Sequence, residues 1–373
     1  MIRTADVAIV GAGIAGASLA AELAPHASVL LIEGESHPGY HSTGRSAAFW
    51  SETYGGPLIQ PLTTASGSFL SNPPADFAQG SFLKPRGALH IADGEGRGAI
   101  DELCRGFSGS GVEMERLGRE QLAAIVPGLG AGWDEGVLEP SCTDIDVARL
   151  HASYLKAARA KGAALINDSR LEAAERREGR WRLETRSGPV RCDILVDAAG
   201  AWADEVAALA GFAPLGIRPY RRTIAQLRTD PPAPAELPLV IDALGRFYFK
   251  SEAGGRLWLS PHDETPCPPC DSAAEELDVA LAIDRLSRVV DWRVERVEHS
   301  WAGLRSFAPD RLPVYGFAPG RRDFFWCAGQ GGFGIQTAPA AARLAAALLL
   351  GGAADPLVAT IDPTPYLAER FTN

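Results

Sequence analysis

The sequence predicts an α/β protein in which a parallel, doubly wound sheet is interleaved with an α+β region built on a mostly antiparallel sheet. Three observations carry that expectation. Asp6-Val7-Ala8-Ile9-Val10-Gly11-Ala12-Gly13-Ile14-Ala15-Gly16 reads as a buried strand running straight into a helix through Gly-x-Gly-x-x-Gly. Buried parallel-strand character returns far down the chain at Cys192-Asp193-Ile194-Leu195-Val196-Asp197, before a turn of small residues. Between 216 and 301 the chain is rich in strands whose neighbours alternate between the two faces of a sheet.

Each element has a local reason. Gly11 permits the tight turn, Gly13 lets a pyrophosphate approach the backbone, and Gly16 lets the helix pack close on the sheet; the helix N-terminus, with Ala15 in its first turn, adds unpaired N–H groups and a positive dipole end. Val29-Leu30-Leu31-Ile32 is a second parallel strand ending in Glu33, where a carboxylate accepts hydrogen bonds from a ribose. Glycines in a plain βαβ unit are the alternative, and the strand, helix and acid in sequence favour the dinucleotide. After the turn formers 34–39, Ser42 or Thr43 is expected to cap a helix in Tyr40-His41-Ser42-Thr43-Gly44-Arg45-Ser46-Ala47-Ala48, whose small residues allow a flat ring to come close. Residues 83–92 read as a strand into the antiparallel region, and 117–129 as a helix or turn. Asp146 caps a helix from Val147 to about Lys161, with Gly162 ending it; 163–166 is a short strand, and a hairpin turns at Ser187-Gly188.

In Tyr220-Arg221-Arg222-Thr223-Ile224, Arg222 shares a face with Tyr220 and Ile224; in Arg246-Phe247-Tyr248-Phe249-Lys250, the polar set Arg246, Tyr248 and Lys250 shares a face. A solvated face and a carboxylate pocket both account for this, the second because Arg binds carboxylates bidentately. A final strand, Phe324-Phe325-Trp326-Cys327-Ala328, leads into Gly329-Gln330-Gly331-Gly332-Phe333-Gly334-Ile335-Gln336-Thr337 and an Ala/Leu helix. This second glycine-rich turn can aim N–H groups at a ligand. One nucleotide would not need both ends of the chain; a cofactor as long as FAD would.

Composition narrows the classes. A chain of 373 residues suits two domains better than one. A formal charge of −10 argues against a general nucleic-acid or anionic-membrane binder. Lysine occurs only at Lys84, Lys156, Lys161 and Lys250, so arginine is the default cation and no single Arg stands out by type. Six scattered cysteines suggest a reducing compartment. Cys267-Pro-Pro-Cys270 has redox or metal spacing but no second pair or His partner, and is expected to be a plain loop; no metal is expected. Asp6 and the glycines break the apolar N-terminal run, so no signal peptide is expected, and 338–351 is too short for a membrane span and contains Arg343. The expected location is cytoplasmic.

With the N-terminal fingerprint, Glu33, the segment 40–48, Asp197-Ala198-Ala199-Gly200-Ala201-Trp202, Gly303-Leu304-Arg305 and Gly331-Gly332-Phe333-Gly334 assembled, the chain resembles the D-amino acid oxidase family of FAD oxidoreductases. Within that family the segments 40–48 and 330–337 are most similar to bacterial D-arginine dehydrogenase-type D-amino acid dehydrogenases. The resemblance implies a Rossmann-like FAD-binding domain from residues 1–82, 141–215 and 303–373, and a substrate-binding domain from 83–140 and 216–302. It implies noncovalent FAD, since Ser306 stands near the Cys through which some relatives attach it. Held against the cofactor would be Gly11, Gly13, Ala15, Gly16, Glu33, Gly34, Ser42–Ala48 (Thr43, Gly44, Arg45, Ser46 and Ala47 between), Leu171, Ala199, Gly200, Trp202 and Gly331–Thr337 (Gly332, Phe333, Gly334, Ile335 and Gln336 between). Arg222 and Arg305 would clamp a substrate carboxylate, Tyr54 and Tyr248 would hydrogen-bond it, and the Gly332 carbonyl would receive the amine.

The implied reaction is oxidative deamination of a D-amino acid to a 2-oxo acid and ammonia, with a quinone, another acceptor or O2 taking the electrons. The substrate side chain would meet Phe49, Trp50, Ala88, Leu239 and Ile241. Relatives that take basic D-amino acids carry an acid where this chain has Ala88, and many have His in place of Phe49, so apolar or aromatic side chains are expected to be preferred. The competing readings are an FAD-linked 2-hydroxy acid dehydrogenase, a glycine or sarcosine oxidase, and a non-catalytic FAD-binding sensor.

Overall fold

The strand Val7–Val10 lies inside a six-stranded sheet in the computed structural model, which describes residues 2–352 and 355–371. The strand order is Ala164–Ile166, Val29–Ile32, Val7–Val10, Ile194–Asp197, Phe324–Ala328, Val314–Phe317, parallel throughout except for the last pair. Val7 and Ile9 join one apolar cluster, and Ala8 and Val10 join another on the opposite side. Such two-sided burial is why the run is continuously apolar rather than alternating. The helices Ile14–Leu23, Val147–Ala160 and Ala338–Leu350 cover the first face. A four-stranded sheet and the helix Ala203–Leu209 cover the second. Asp146 caps the middle helix as its sequence predicts, its Oδ1 accepting from the N–H of Arg149 at 3.1 Å.

The other large sheet has ten strands. Near one edge stands its longest pair, Arg293–Phe307 and Arg218–Asp230, antiparallel over their whole length, followed by Arg256–Ser260, Tyr248–Glu252, Leu239–Asp242 and Ala88–Ala92. Phe247 and Phe249 face an outer core with Ala225, Leu227 and Leu286, the last from the helix Glu276–Ser287, while Tyr248 faces inward with Ile224. Arg221 points outward to Glu275 and Asp278, and Arg222 inward. The alternation read from the sequence therefore has its physical counterpart here.

The structure departs from expectation in four places. Residues 83–92 form two strands, Leu83–Pro85 in a separate three-stranded sheet and Ala88–Ala92 in the large one, because the chain turns at Arg86 and at Gly87, whose φ is +79°. Segment 40–48 forms turns rather than a capped helix. Thr43 instead caps the helix Ile14–Leu23 from a distance: the N-cap residue Gly13 has no side chain, and the Thr43 Oγ1 accepts from Ile14 N–H at 3.0 Å. Arg246 precedes its strand and is drawn away to Asp242 and Asp93. Finally, Arg293–Phe307 runs unbroken past 302/303, so an expected domain boundary falls inside one strand. Among the described residues no helix is long and apolar enough to cross a membrane.

Candidate active site

A cleft of about 400 Å³ opens where the carboxyl ends of the parallel strands meet the inner face of the ten-stranded sheet. This is where open α/β sheets generally hold ligands. Its walls bring together pieces far apart in sequence: Gly11, Gly13 and Ala15 from the first turn, Glu33 and Gly34 from the second strand's end, and Ser42, Thr43, Arg45, Ser46 and Ala47. Leu171, Ala199, Gly200 and Trp202 close one end; Gly331, Gly332, Gly334, Ile335, Arg222 and Arg305 close the other. Glu33 is held by the N–H groups of Ala12 (2.9 Å) and Glu35 (3.0 Å), and burial raises its pKa above the ordinary carboxylate value.

Several residues expected at the cofactor stand back from this cleft. A Cβ on Gly16 would overlap the carbonyl oxygen of Gly11, so Gly16 serves helix-on-strand packing. Gly44 lies against the carbonyl of Gly39, and Ala48 lines a small side cavity with Phe49, Tyr54 and Gln336. Phe333 packs on Tyr54, Phe307 and Ile59, and the Thr337 hydroxyl donates back to the Phe333 carbonyl at 2.9 Å. The chain turns through 332–337, so successive residues point in different directions and only some reach the ligand side. Arg45 lines the cleft but spends its donors elsewhere, on Asp271 and the carbonyls of Ser272 and Ala302.

The inner end of the cleft is cationic. Arg222 donates from Nε to the Asp263 carbonyl at 2.7 Å and from Nη2 to Glu264 at 3.1 Å, while its buried Nη1 has no protein partner among the described residues. Burial, then the neighbouring Arg305 charge, push its pKa down to about 10, so it remains a cation at neutral pH. Arg305 donates from Nη1 to the Tyr54 hydroxyl at 2.5 Å. Burial opposes its charge, but Tyr54, Tyr248 and the acids Glu264 and Asp263 outweigh that and raise its pKa. The buried Tyr248 hydroxyl is also without a hydrogen-bond partner among the described residues. A Cβ on Gly332 would overlap the Tyr54 hydroxyl and come within 3.0 Å of Arg305 Nη1, so only glycine fits there. Two neighbouring cations, one with a buried donor left unsatisfied, are suited to an anion, and carboxylate is the group their forks match.

Beside them lies an apolar cluster, of which Ile224 lines the cleft and Phe49 and Tyr54 line the small side cavity, while Ala88, Leu239 and Ile241 line neither. Phe49, Ala88, Leu239 and Ile241 pack with Ile224, Tyr54 and Tyr248 in one cluster, Leu239 sitting in register with Ala88 and Ile241 with His90. Trp50 is a correction. As the next residue along the strand Phe49–Trp50 it faces the opposite side, inside the core of the parallel-sheet layer, with its Nε1 donating to the Thr63 carbonyl at 2.8 Å.

Four contributors were not read from the sequence. Asp263 and Glu264 hold Arg222, as above. His262 donates from Nδ1 to the Gly245 carbonyl at 2.8 Å, presents its ring at 83° to Tyr248, and is pushed down to about 2 by burial and by Arg222 and Arg305. It is therefore neutral, with its proton on Nδ1. Glu139, fully buried, accepts from Ser51 Oγ (2.8 Å), Glu52 N–H (2.7 Å) and Thr53 Oγ1 (2.6 Å), fixing the segment that carries Tyr54. No local pattern marks these residues, because their partners are distant in sequence. Glu139→Gln is expected to turn one acceptor into a donor facing a donor. It should lower stability by about 1–3 kcal/mol and raise KM severalfold as Tyr54 loosens, read by denaturant unfolding and substrate titration.

The profile of the FAD-dependent oxidoreductase family called DAO matches residues 6–348. The chain belongs to the DAO family. Glycine oxidase of Pseudomonas aeruginosa is 32% identical over 262 residues, an alignment covering 66% of this DAO-family chain and 65% of that enzyme. FAD-dependent oxidoreductase domain-containing protein 1 of Bos taurus is 25% identical, over 98% of this chain and 84% of the relative. Among solved structures, glycine oxidase from Geobacillus kaustophilus superposes with a TM-score of 0.85 at 23% identity, covering 98% of both chains. L-proline dehydrogenase from P. horikoshii superposes at 0.83 and 21% identity, covering 96% of both. These likenesses establish the DAO-type α/β fold and FAD as the cofactor.

Proposed function

We propose that this FAD-dependent oxidoreductase deaminates D-amino acids with apolar or aromatic side chains, giving 2-oxo acids and ammonia. The observation that carries the reading is the Arg222–Arg305 cationic end lying beside Ile224 and Phe49, which are backed in one apolar cluster by Ala88, Leu239 and Ile241. The residues present fit FAD. Glu33 offers a carboxylate for a ribose, the Gly11–Ala15 turn offers N–H groups and close backbone approach for the pyrophosphate, and the buried, unpartnered Ser306 Oγ offers a hydrogen bond at the inner end. Because that position is serine, the cofactor is held without a thioether. Residues 1–82, 141–215 and 303–373 would supply most of its binding site and 83–140 and 216–302 the sheet over the substrate, with Phe49, Tyr54, Arg305 and Gly332 reaching across to the substrate and the strand Arg293–Phe307 continuous through the junction.

When bound, the flavin supplies a two-electron acceptor for the substrate's Cα–H bond. The protein's part is placement. Arg222 and Arg305 take the carboxylate, relieving their mutual repulsion, with Tyr54 and Tyr248 adding hydroxyl donors; the Gly332 carbonyl accepts from the amine. A carboxylate and an amine held at fixed points leave Cα one orientation, which is the entropic share of catalysis. No strong base is required of the chain, since an amine that loses its proton on entering a cationic pocket itself assists C–H cleavage.

A smaller substrate is the second reading, favoured by the glycine oxidase likeness. An anaerobic flavin-bleaching screen against paired D- and L-amino acids, glycine, sarcosine and 2-hydroxy acids separates the readings. Rapid bleaching by apolar D-amino acids is expected, with L-isomers and D-arginine slow. Bleaching by glycine or sarcosine alone selects the second reading, by hydroxy acids alone removes the amine from the mechanism, and by nothing leaves a sensor. Ala88 is fully buried in the apolar cluster. Ala88→Glu is expected to raise the kcat/KM ratio of D-arginine to D-leucine by about tenfold or more, by giving a cationic side chain its partner. An unchanged ratio would place the side-chain subsite elsewhere.

A further inference from the structure

The loop Cys267-Pro-Pro-Cys270 takes no part in the proposed chemistry, yet its two sulfurs lie 3.5 Å apart. Both cysteines are free and half-buried, whereas Cys142, Cys192 and Cys327 are buried. Two consecutive prolines restrict the backbone between the thiols, so their approach costs little conformational freedom. The loop is anchored on both sides. Thr265 and Pro266 pair with Arg221 and Tyr220, next to Arg222, and Cys267 N–H donates to the Pro219 carbonyl at 3.1 Å. Immediately after Cys270, Asp271 pairs with Arg45 and accepts from the Tyr40 hydroxyl at 3.0 Å, and the Ser272 carbonyl accepts from Arg45 Nη1 at 2.6 Å. Arg45 belongs to the turn segment on the cofactor cleft, and its own carbonyl accepts from Trp301 Nε1 at 3.0 Å.

We propose that Cys267 and Cys270 are a reversible redox-modification site whose internal disulfide locks the Asp271–Ser272 anchor and thereby tightens segment 40–48 over FAD. The oxidant is a small-molecule disulfide such as oxidised glutathione. One cysteine thiolate attacks it, forming a mixed disulfide and releasing one glutathione thiolate. The second cysteine thiolate then attacks the mixed disulfide and releases the other. Two cysteine protons leave for the two released thiolates, and the two electrons lost by the cysteines reside on the two glutathiones. Cys104, half-buried, has no cysteine sulfur recorded against it among the described residues and would stop at the mixed disulfide.

The test equilibrates the full-length holoenzyme with oxidised or reduced glutathione, alkylates free thiols, and maps peptides by mass. FAD release on dilution is followed by flavin fluorescence. Oxidised protein is expected to carry a Cys267–Cys270 link and to release FAD about twofold or more slowly than reduced protein, as a short constrained loop predicts. In Cys267→Ser the release rate should no longer depend on redox state. Cysteines that stay alkylated in oxidised glutathione, or end as separate glutathione adducts, overturn the site. A linked loop with unchanged FAD release, or a redox effect that survives Cys267→Ser, overturns its coupling to Arg45.

Discussion

Replacing Arg305 by leucine is expected to lower kcat/KM for amino acid substrates by about two to three orders of magnitude, the consequence of removing one partner of a desolvated charge pair. Arg305 sits on Arg293–Phe307 opposite Tyr220, and Arg222 is two residues further along the neighbouring strand, so both guanidiniums reach the same end of the cleft. Arg222 is already engaged by Asp263 and Glu264. Among the described residues the Arg305 guanidinium has only the Tyr54 hydroxyl as a hydrogen-bond partner, and so has the larger share of its fork to offer a carboxylate. Leucine fills much of the same volume, and the strand keeps its backbone pairing, so the purified variant should remain yellow. Steady-state kinetics with a flavin-to-protein absorbance ratio check both halves. Unchanged kinetics would mean that the carboxylate binds elsewhere; loss of colour would move Arg305 from the substrate to the cofactor.

Gly16→Ala is expected to weaken FAD binding by about 10- to 100-fold, the equivalent of an overpacking cost of about 1–3 kcal/mol at the cofactor turn. The added Cβ would overlap the Gly11 carbonyl and come within 3.3 Å of Ile9 Cγ2, so helix and strand must part. Gly11 cannot give way: its φ is +98°, and a side chain there would itself overlap the Ala198 carbonyl of the adjoining strand's turn. Any separation also disturbs the Glu33–Ala12 and Thr43–Ile14 bonds that shape the cleft floor. Flavin content after dialysis and thermal unfolding with and without added FAD measure the effect. A variant that keeps its flavin and its midpoint would show that helix and strand have slack that the geometry denies.

These two substitutions mark where local reading succeeded. Val7–Val10, Ile14–Leu23 and Glu33 form a unit whose partners lie within about one βαβ length, so periodicity, glycine spacing and one acid sufficed. Alternation likewise put Arg222 on one face with Ile224, and Tyr248 on one face with Lys250, because a strand's period of two is a property of the chain itself; that the face is the inner one was decided by the tertiary structure. It misled at Arg246, where the strand had not yet begun, and the resemblance misled at Trp50, which faces away from its neighbour Phe49.

What the sequence by itself determined was the α/β class, the dinucleotide turn, the family and which strand residues share a face. What only the tertiary structure decided was which side chains share a volume: Thr43 capping a helix whose own cap residue is glycine, Asp263 and Glu264 holding Arg222, Glu139 bracing Tyr54, and two cysteine sulfurs brought together beside the Arg45 anchor. The physical reason is one of range. Backbone propensity and face periodicity act between residues a few positions apart, whereas hydrogen bonds such as Thr53 to Glu139 join residues 86 apart, and nothing in either neighbourhood encodes the other.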